Sequence, residues 1–389
     1  MLAVRAGRIF DGVGPIGRGT VLVEDGRIAD VDTTGAEPPA AAERIDLGPD
    51  ACLLPGLIDA HVHLAFDASA DVVTSLGRMD DGLLLAAMER GGRRALQAGI
   101  TTVRDLGDRN FVSVALRDRI GPGGAGGPEL VVSGPPITTS GGHCHFLGGE
   151  AEGEAGLRAA VRQRADRGCD VVKVMVSGGA LTPGSRPDES QYTLADLRTI
   201  VDEAHRQGLP TAGHVHGARA VADAVEAGFD TLEHVTFFTA DGVAGNPAVM
   251  ERIARDGVVV SVTGGNVPGR SAPPAIANRM AAIRENHGKL YRAGARMIPG
   301  SDAGLSPGKP HDVLPYAVAF LVNEIGMTPA QALRAVTSVA AGAIGLTGRK
   351  GRVVAGADAD LLAVRGNPLQ DIGAIMNVEA VFRAGHRVR

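Results

Sequence analysis

The chain has 389 residues, 44% hydrophobic and 21% charged, enough for one large globular domain with a full core and a smaller appendage, and not the composition of a disordered chain. Its net charge of −5 over that length argues against nucleic acid or an anionic membrane as the main partner. No apolar run approaches the roughly 18 residues of a membrane span, and the opening MLAVRAGRIFDGVG carries no charged-then-apolar signal pattern. In chain order, residues 1–52 read as short strands, AVRAGRIF and then TVLVEDGRIADV with its Asp25-Gly26 hairpin signal, followed by a Pro38-Pro39 loop. The far end behaves alike: GRVVAGADADLLAVRG and VEAVFRAGHRVR are again short β patterns with Gly turns. Two β-rich ends around a different middle predict one small β-sandwich assembled from both termini, residues 1–54 and 347–389.

Between them, over 55–346, the pattern alternates. Apolar strand candidates sit at 53–60, 100–106, 129–134, 171–176, 209–215, 231–235, 258–263 and 296–302, with helical stretches at 82–98, 154–167, 193–207, 217–227 and 328–343. In TLADLRTIVDEAHRQG, Leu194, Leu197, Ile200, Val201 and Ala204 share one face, with Thr193 at the start and Gly208 as the stop. Strands alternating with helices at this length predict the α/β class and a (β/α)8 TIM barrel. A doubly wound open sheet is the alternative, but no GxGxxG follows the first strand, and the Gly-rich 121–127 stretch precedes a strand instead of opening a helix. Cys52, Cys144 and Cys169 are too few and too scattered for a disulfide framework or a CxxC metal site, which fits a reducing cytoplasm.

In a barrel of this kind, catalytic groups stand at the carboxyl ends of strands. PGLIDAHVHL ends the first strand with His61 and His63 on one face. Lys173 lies inside VVKVMV, where an unpaired charge would be costly, so it must be neutral, paired or chemically modified. His214 ends strand five in TAGHVHG, His234 ends strand six in TLEHV, and Asp302 follows strand eight in PGSD. Singly, each has a structural explanation: a lysine reaching solvent, a core histidine bonded to backbone, an aspartate capping a helix. Jointly they put four histidines, a lysine and an aspartate at the ends of five strands. Imidazoles and carboxylates suit borderline cations such as Zn²⁺, whereas a lysine amine with a free pKa of about 10.4 is a poor ligand while protonated.

The first-strand segment and this ligand order resemble the amidohydrolase superfamily, metal-dependent hydrolases built on a TIM barrel. The resemblance covers nearly the whole chain. It implies two divalent ions, Zn²⁺ by preference. His61, His63 and Asp302 would hold one, His214 and His234 the other, and Lys173, carboxylated by CO2, both. A bridging hydroxide would be the nucleophile, since zinc lowers the pKa of bound water to about 7, with Asp302 taking its proton and passing it to the leaving amine. KVMVSGGALTPG, GHVHG, EHV, TTSGGHCHF and GMTPAQALRAVTSVAAGAIGL look like the prolidase-like, imidazolonepropionase-related branch, and the lysine favours its binuclear members. In that branch, residues matching His143 and His216 sit beside the substrate carbonyl, where they would act on the developing oxyanion. The chain departs from the pattern at Cys144 and His145, where Gly-Asp is usual, and after Asp302, where it reads PHDVLPYAV. Substrate contacts are therefore sought on the loops, at Arg270, Lys309, His311 and Tyr316, with Arg186, Gln191 and Asn266 as further candidates.

The expected activity is hydrolysis of an amide or peptide bond in a small peptide, an N-acyl amino acid or a peptide-like natural product. The alternatives are a hydrolytic deaminase or cyclic-amide hydrolase, and, from another class, a metal-free scaffold protein. The expected partner is a small molecule or short peptide, with no nucleic acid and no membrane; a homo-oligomer is left open.

Overall fold

A computed structural model describes residues 1–121, 123–270 and 274–389. Both chain ends build one eight-stranded sheet, in which Leu2–Phe10, Pro15–Glu24, Arg27–Asp32, Glu43–Asp46 and Ala51–Pro55 from the start join Leu361–Arg365, Val378–Arg383 and His386–Arg387 from the end. Leu361–Arg365 pairs antiparallel with Ala51–Pro55, so the C-terminal strands close onto the last N-terminal one. Val4, Val21, Ile28, Leu53, Leu361 and Phe382 pack into a single cluster. Residues from both halves of the sheet thus share one small core of their own.

The middle of the chain forms two parallel sheets flanked by helices. Their strands are β1 (Leu57–Val62), β2 (Ile100–Asp105), β3 (Glu129–Val132), β4 (Val172–Met175), β5 (Thr211–Gly217), β6 (Thr231–Thr239), β7 (Val259–Val262) and β8 (Arg296–Pro299). One sheet has the order β8-β7-β6-β5-β4 and the other β1-β2-β3. Isolated parallel bridges Val62–Ala303 and Ile137–Val174 span the gaps between them. The strands are rich in Val, Ile and Thr and buried almost throughout because both faces are covered, as in a buried parallel sheet. The helix Leu194–Arg206 begins with a capping box between Thr193 and Asp196 and buries Leu197, Ile200, Val201 and Ala204.

Two predicted elements are redrawn. The run expected as one strand over 53–60 splits at Gly56. Ala51–Pro55 belongs to the terminal sheet and Leu57–Val62 to the parallel one, and a Cβ on Gly56 would lie 2.1 Å from Thr101 Oγ1. The helix expected over 328–343 is α-helical at Pro329–Arg334 and Ala340–Ala343 but widens to π geometry at Ala335–Val339, where the Thr337 hydroxyl donates back to Leu333 O at 2.6 Å. Among the described residues, no helix is long and apolar enough to cross a membrane.

Candidate metal centre

His61 and His63 leave the end of β1 on the same side, their Nε2 atoms 3.2 Å apart. The loop after β8 brings Asp302 to them. The Asp302 backbone N–H donates to His61 O at 2.8 Å, and Asp302 Oδ1 lies 3.4 Å from His61 Nε2 and 3.5 Å from His63 Nε2. Backbone conformation makes this possible, since Asp302 has φ 58°, a left-handed setting that aspartate tolerates better than most residues. On β6, strand alternation would send Glu233 and His234 to opposite faces. A left-handed turn at His234 and Val235, φ 71° and 50°, breaks that alternation midway along the strand. His234 Nε2 consequently faces His214 Nδ1 at 3.0 Å. Such strained backbone is a feature of functional sites.

Proton bookkeeping defines what these nitrogens present. His61 Nδ1 lies 2.9 Å from Glu233 Oε2, and a carboxylate only accepts, so Nδ1 carries the proton and Nε2 is a lone pair. His214 Nε2 lies 3.2 Å from the carbonyl of Gly178, so its Nδ1 is likewise a lone pair, aimed at His234. Lys173 Nζ and Asp302 Oδ1 are buried with no hydrogen-bond partner. A partnerless lysine, carboxylate and lone pairs in one spot are costly as they stand, and the carboxylate and lone pairs fit cations. A point equidistant from His61 Nε2, His63 Nε2 and Asp302 Oδ1 lies about 1.9 Å from each, close to zinc–ligand lengths of about 2.0–2.2 Å. His214, His216 and His234 also offer ligand atoms within 4.8 Å of one another.

The electrostatics agree. Burial pulls His61 down to about 4 and His143 down to about 3, with neighbouring cationic groups adding to the effect. His214 and His234 fall well below the usual imidazole range for the same reason, so these rings are neutral, the form that binds metal. Burial also lowers Lys173 to about 8, although Glu233 and Asp302 act in the opposite direction. For Asp302 burial favours the neutral acid, but the close approach of His63 and the positive charge of Lys309 outweigh it and hold the carboxyl well below its ordinary value.

A cavity of about 520 Å³ opens over this floor. Of the residues proposed from sequence, His63, His143, Lys173, His214, His216, His234, Asp302, Asn266, Arg270 and Lys309 line it. His143 is held at its backbone N–H by Gln191 Oε1 at 2.6 Å, so Gln191 supports the loop instead of facing substrate. His216 Nδ1 lies 2.9 Å from Thr236 Oγ1, and its ring stacks on His234 with centroids 4.5 Å apart.

Four loop candidates make contacts within the protein. Lys309 Nζ donates to Thr263 O and Ser301 O, both at 2.8 Å, so two of its three donors staple the loops after β7 and β8. His311 is buried behind the site with Nε2 3.3 Å from His63 O, and Tyr316 backs Gly265; neither lines the cavity. Arg186 is spent on Asp188 and Glu189. Cys144 lines the cavity with its thiol pushed up to about 12 by burial, while His145 turns to Gly142 O at 3.1 Å.

Sequence reasoning missed three supporting residues. Glu233 bonds His61 with one oxygen and accepts from Arg104 with the other at 2.9 Å. Arg104, fully buried on β2, also donates to Ala60 O at 2.7 Å. His287 donates to His234 O at 2.8 Å. The signal was available for the first two, since a charged residue inside an apolar strand is what singled out Lys173. Replacing Glu233 with Gln keeps an oxygen for Arg104 but turns an amide donor toward His61, which moves the ring proton to Nε2 and blocks the lone pair. Metal affinity should fall about 10- to 100-fold, the usual cost of losing such a partner, and thermal stability should fall as well, because the buried Arg104 guanidinium loses its counter-charge. Chelator competition measures it, and undiminished affinity would exclude Glu233 from that role.

The sequence pattern of the Amidohydrolase family matches residues 52–388, so this chain belongs to that family. Its class is a hydrolase acting on amide bonds, in a family that is metal-dependent, and it sits in the prolidase-like, imidazolonepropionase-related branch. It is 30% identical over 373 residues to an ochratoxinase from Aspergillus niger, covering 85% of this chain and 73% of the relative. It is 27% identical to an imidazolonepropionase from Salinispora tropica, covering 90% of this chain and 87% of that one. Among solved structures, a Xaa-Pro dipeptidase with bound methionine aligns over 100% of this chain and 99% of its own, with TM-score 0.86 and 26% identity.

Proposed function

We propose that this chain is a binuclear amidase that hydrolyses an amide or peptide bond in a small peptide, N-acyl amino acid or peptide-like molecule. The observation that carries the reading is the cluster of neutral imidazole lone pairs, partnerless Lys173 and partnerless Asp302 at the floor of one cavity. His61, His63 and Asp302 would hold one divalent ion, His214 and His234 the second, and Lys173 both, as its carbamate. Carboxylation joins the neutral amine to CO2 with loss of one proton, giving an anionic group where the structure has an unpaired nitrogen. Bound there, zinc ions would supply Lewis acidity and a water of lowered pKa, about 7.

The protein's own groups do the rest. Asp302 accepts a proton on its carboxylate and returns it to the leaving nitrogen. His143 and His216 flank the cavity floor, where they would orient the carbonyl and donate to its oxygen as charge develops. The two inter-sheet bridges support a closed (β/α)8 barrel over 55–346, and the shared core of the terminal strands supports a small sandwich from 1–54 and 347–389. A deaminase reading has less support, because Gly217 follows His216 with no glutamate beside it. We place the enzyme in the cytoplasm, in keeping with three buried, unpaired cysteines.

His216→Ala should lower kcat by about 10²–10³, the scale of one lost oxyanion donor, with a smaller change in KM. The test is a panel of dipeptides, N-acyl amino acids, lactams and aminated heterocycles. Ammonia release from the heterocycles with no amide cleaved would replace the amidase by a deaminase.

A further inference from the structure

The loops after β7 and β8 meet at one lysine. Lys309 sits on the second of them, and backbone bonds fold that loop back on itself. Gly304 N–H donates to Lys309 O at 2.7 Å, and Lys309 N–H donates to Ser306 O at 2.8 Å. The loop after β7 adds a third bond, from Val267 N–H to Gly308 O at 3.0 Å. With its backbone fixed in this way, the lysine reaches between the loops, and its ammonium donates to Thr263 O and Ser301 O.

Each of those carbonyls lies one step from a residue of the metal centre. The Ser301 carbonyl belongs to the peptide group that precedes Asp302, and the N–H of that same group donates to His61 O at 2.8 Å. A peptide group is planar, so bonds at both of its ends fix its orientation. That orientation sets the φ of 58° that turns Asp302 toward His61 and His63. A left-handed backbone is disfavoured for a residue with a Cβ, and it persists where its surroundings hold it. On the other side, Thr263 follows β7, and its hydroxyl oxygen lies 2.8 Å from His234 Nδ1. For His234 to offer Nε2 to an ion, its ring proton must sit on Nδ1, where the Thr263 oxygen accepts it. Holding the Thr263 carbonyl fixes the backbone that carries this hydroxyl. We propose that Lys309 is a positioning residue for both metal subsites, holding Asp302 toward one ion and, through Thr263, His234 toward the other. This rests on the binuclear reading.

Chelator competition with Zn²⁺ on the parent, Lys309→Met, Thr263→Val and the double variant tests it, with thermal unfolding of each metal-free protein as the check on folding. The parent should bind two ions. Lys309→Met, close to lysine in length but without a donor, should bind both about 10- to 100-fold more weakly, the usual cost of removing such a partner. Thr263→Val keeps the carbonyl and loses the hydroxyl, so it should weaken one ion only. In the double variant that ion should be held no more weakly than in the poorer single variant, because both residues act along one chain of contacts. A general loosening of the fold would instead add to the Thr263→Val loss. Lys309→Gln, which keeps one donor group, should fall between parent and Lys309→Met, and it carries the same comparison where Lys309→Met does not fold. Unchanged affinities in the lysine variants, loss at one ion alone, or additive losses in the double variant would overturn this inference and leave the binuclear reading standing. A parent that binds fewer than two ions overturns both.

Discussion

Lys173→Ala is expected to abolish amide hydrolysis and to lower the number of divalent ions that stay with the purified protein. The argument begins with cost. The Lys173 side chain is 1% exposed, and its Nζ has no hydrogen-bond partner, an arrangement that destabilises the fold if the residue is an ordinary lysine. Removing an ordinary buried lysine would relieve that penalty, so the variant would be at least as stable as the parent. If Lys173 instead carries a carbamate between two ions, its loss removes a ligand from both, and stability and metal content fall together. Turnover should drop by more than loss of a single oxyanion donor, about 10²–10³, and short carboxylic acids filling the vacated space should restore part of it. A fully active variant would leave at most one metal in the mechanism.

Asp302→Asn separates proton transfer from metal binding. Asparagine is among the few residues that accept a left-handed backbone, so the φ of 58° at this position does not bar the substitution. The amide oxygen can still face His61 and His63, but the group no longer takes a proton. Turnover should fall by about 10²–10⁴, the usual contribution of a general acid–base group, with much smaller changes in KM and metal content. Steady-state kinetics with metal analysis on the same sample reads both, and unchanged turnover with normal metal content would exclude Asp302 from the chemistry.

Much of this was legible in the sequence for identifiable reasons. Strands buried on both faces read as apolar runs rich in β-branched residues, and the apolar face of TLADLRTIVDEAHRQG, between Thr193 and Gly208, marked a helix. The same-face rule for a strand brought His61 and His63 together, and their Nε2 atoms stand 3.2 Å apart. Other features depend on geometry that residue types do not carry. The run through Pro55 looks unbroken because both sheets bury it, so the change of sheet at Gly56 shows only through the crowding of Thr101. Lys309 reads as a loop cation until two carbonyls are seen to take its ammonium. Glu233 stands beside His234 in TLEHV, where its residue type alone does not show what it binds. Its partner Arg104 lies 129 positions away, and only the folded sheets reveal the pairing.

The central claim, an amidase run by two metal ions, is tested most directly by one titration: Zn²⁺ added stepwise to metal-free protein in bicarbonate buffer while hydrolysis of an N-acyl amino acid is followed. The account predicts no activity at the start and a rate that rises to a plateau at two ions per chain. Amide hydrolysis by the metal-free protein, or a plateau at one ion, would contradict it.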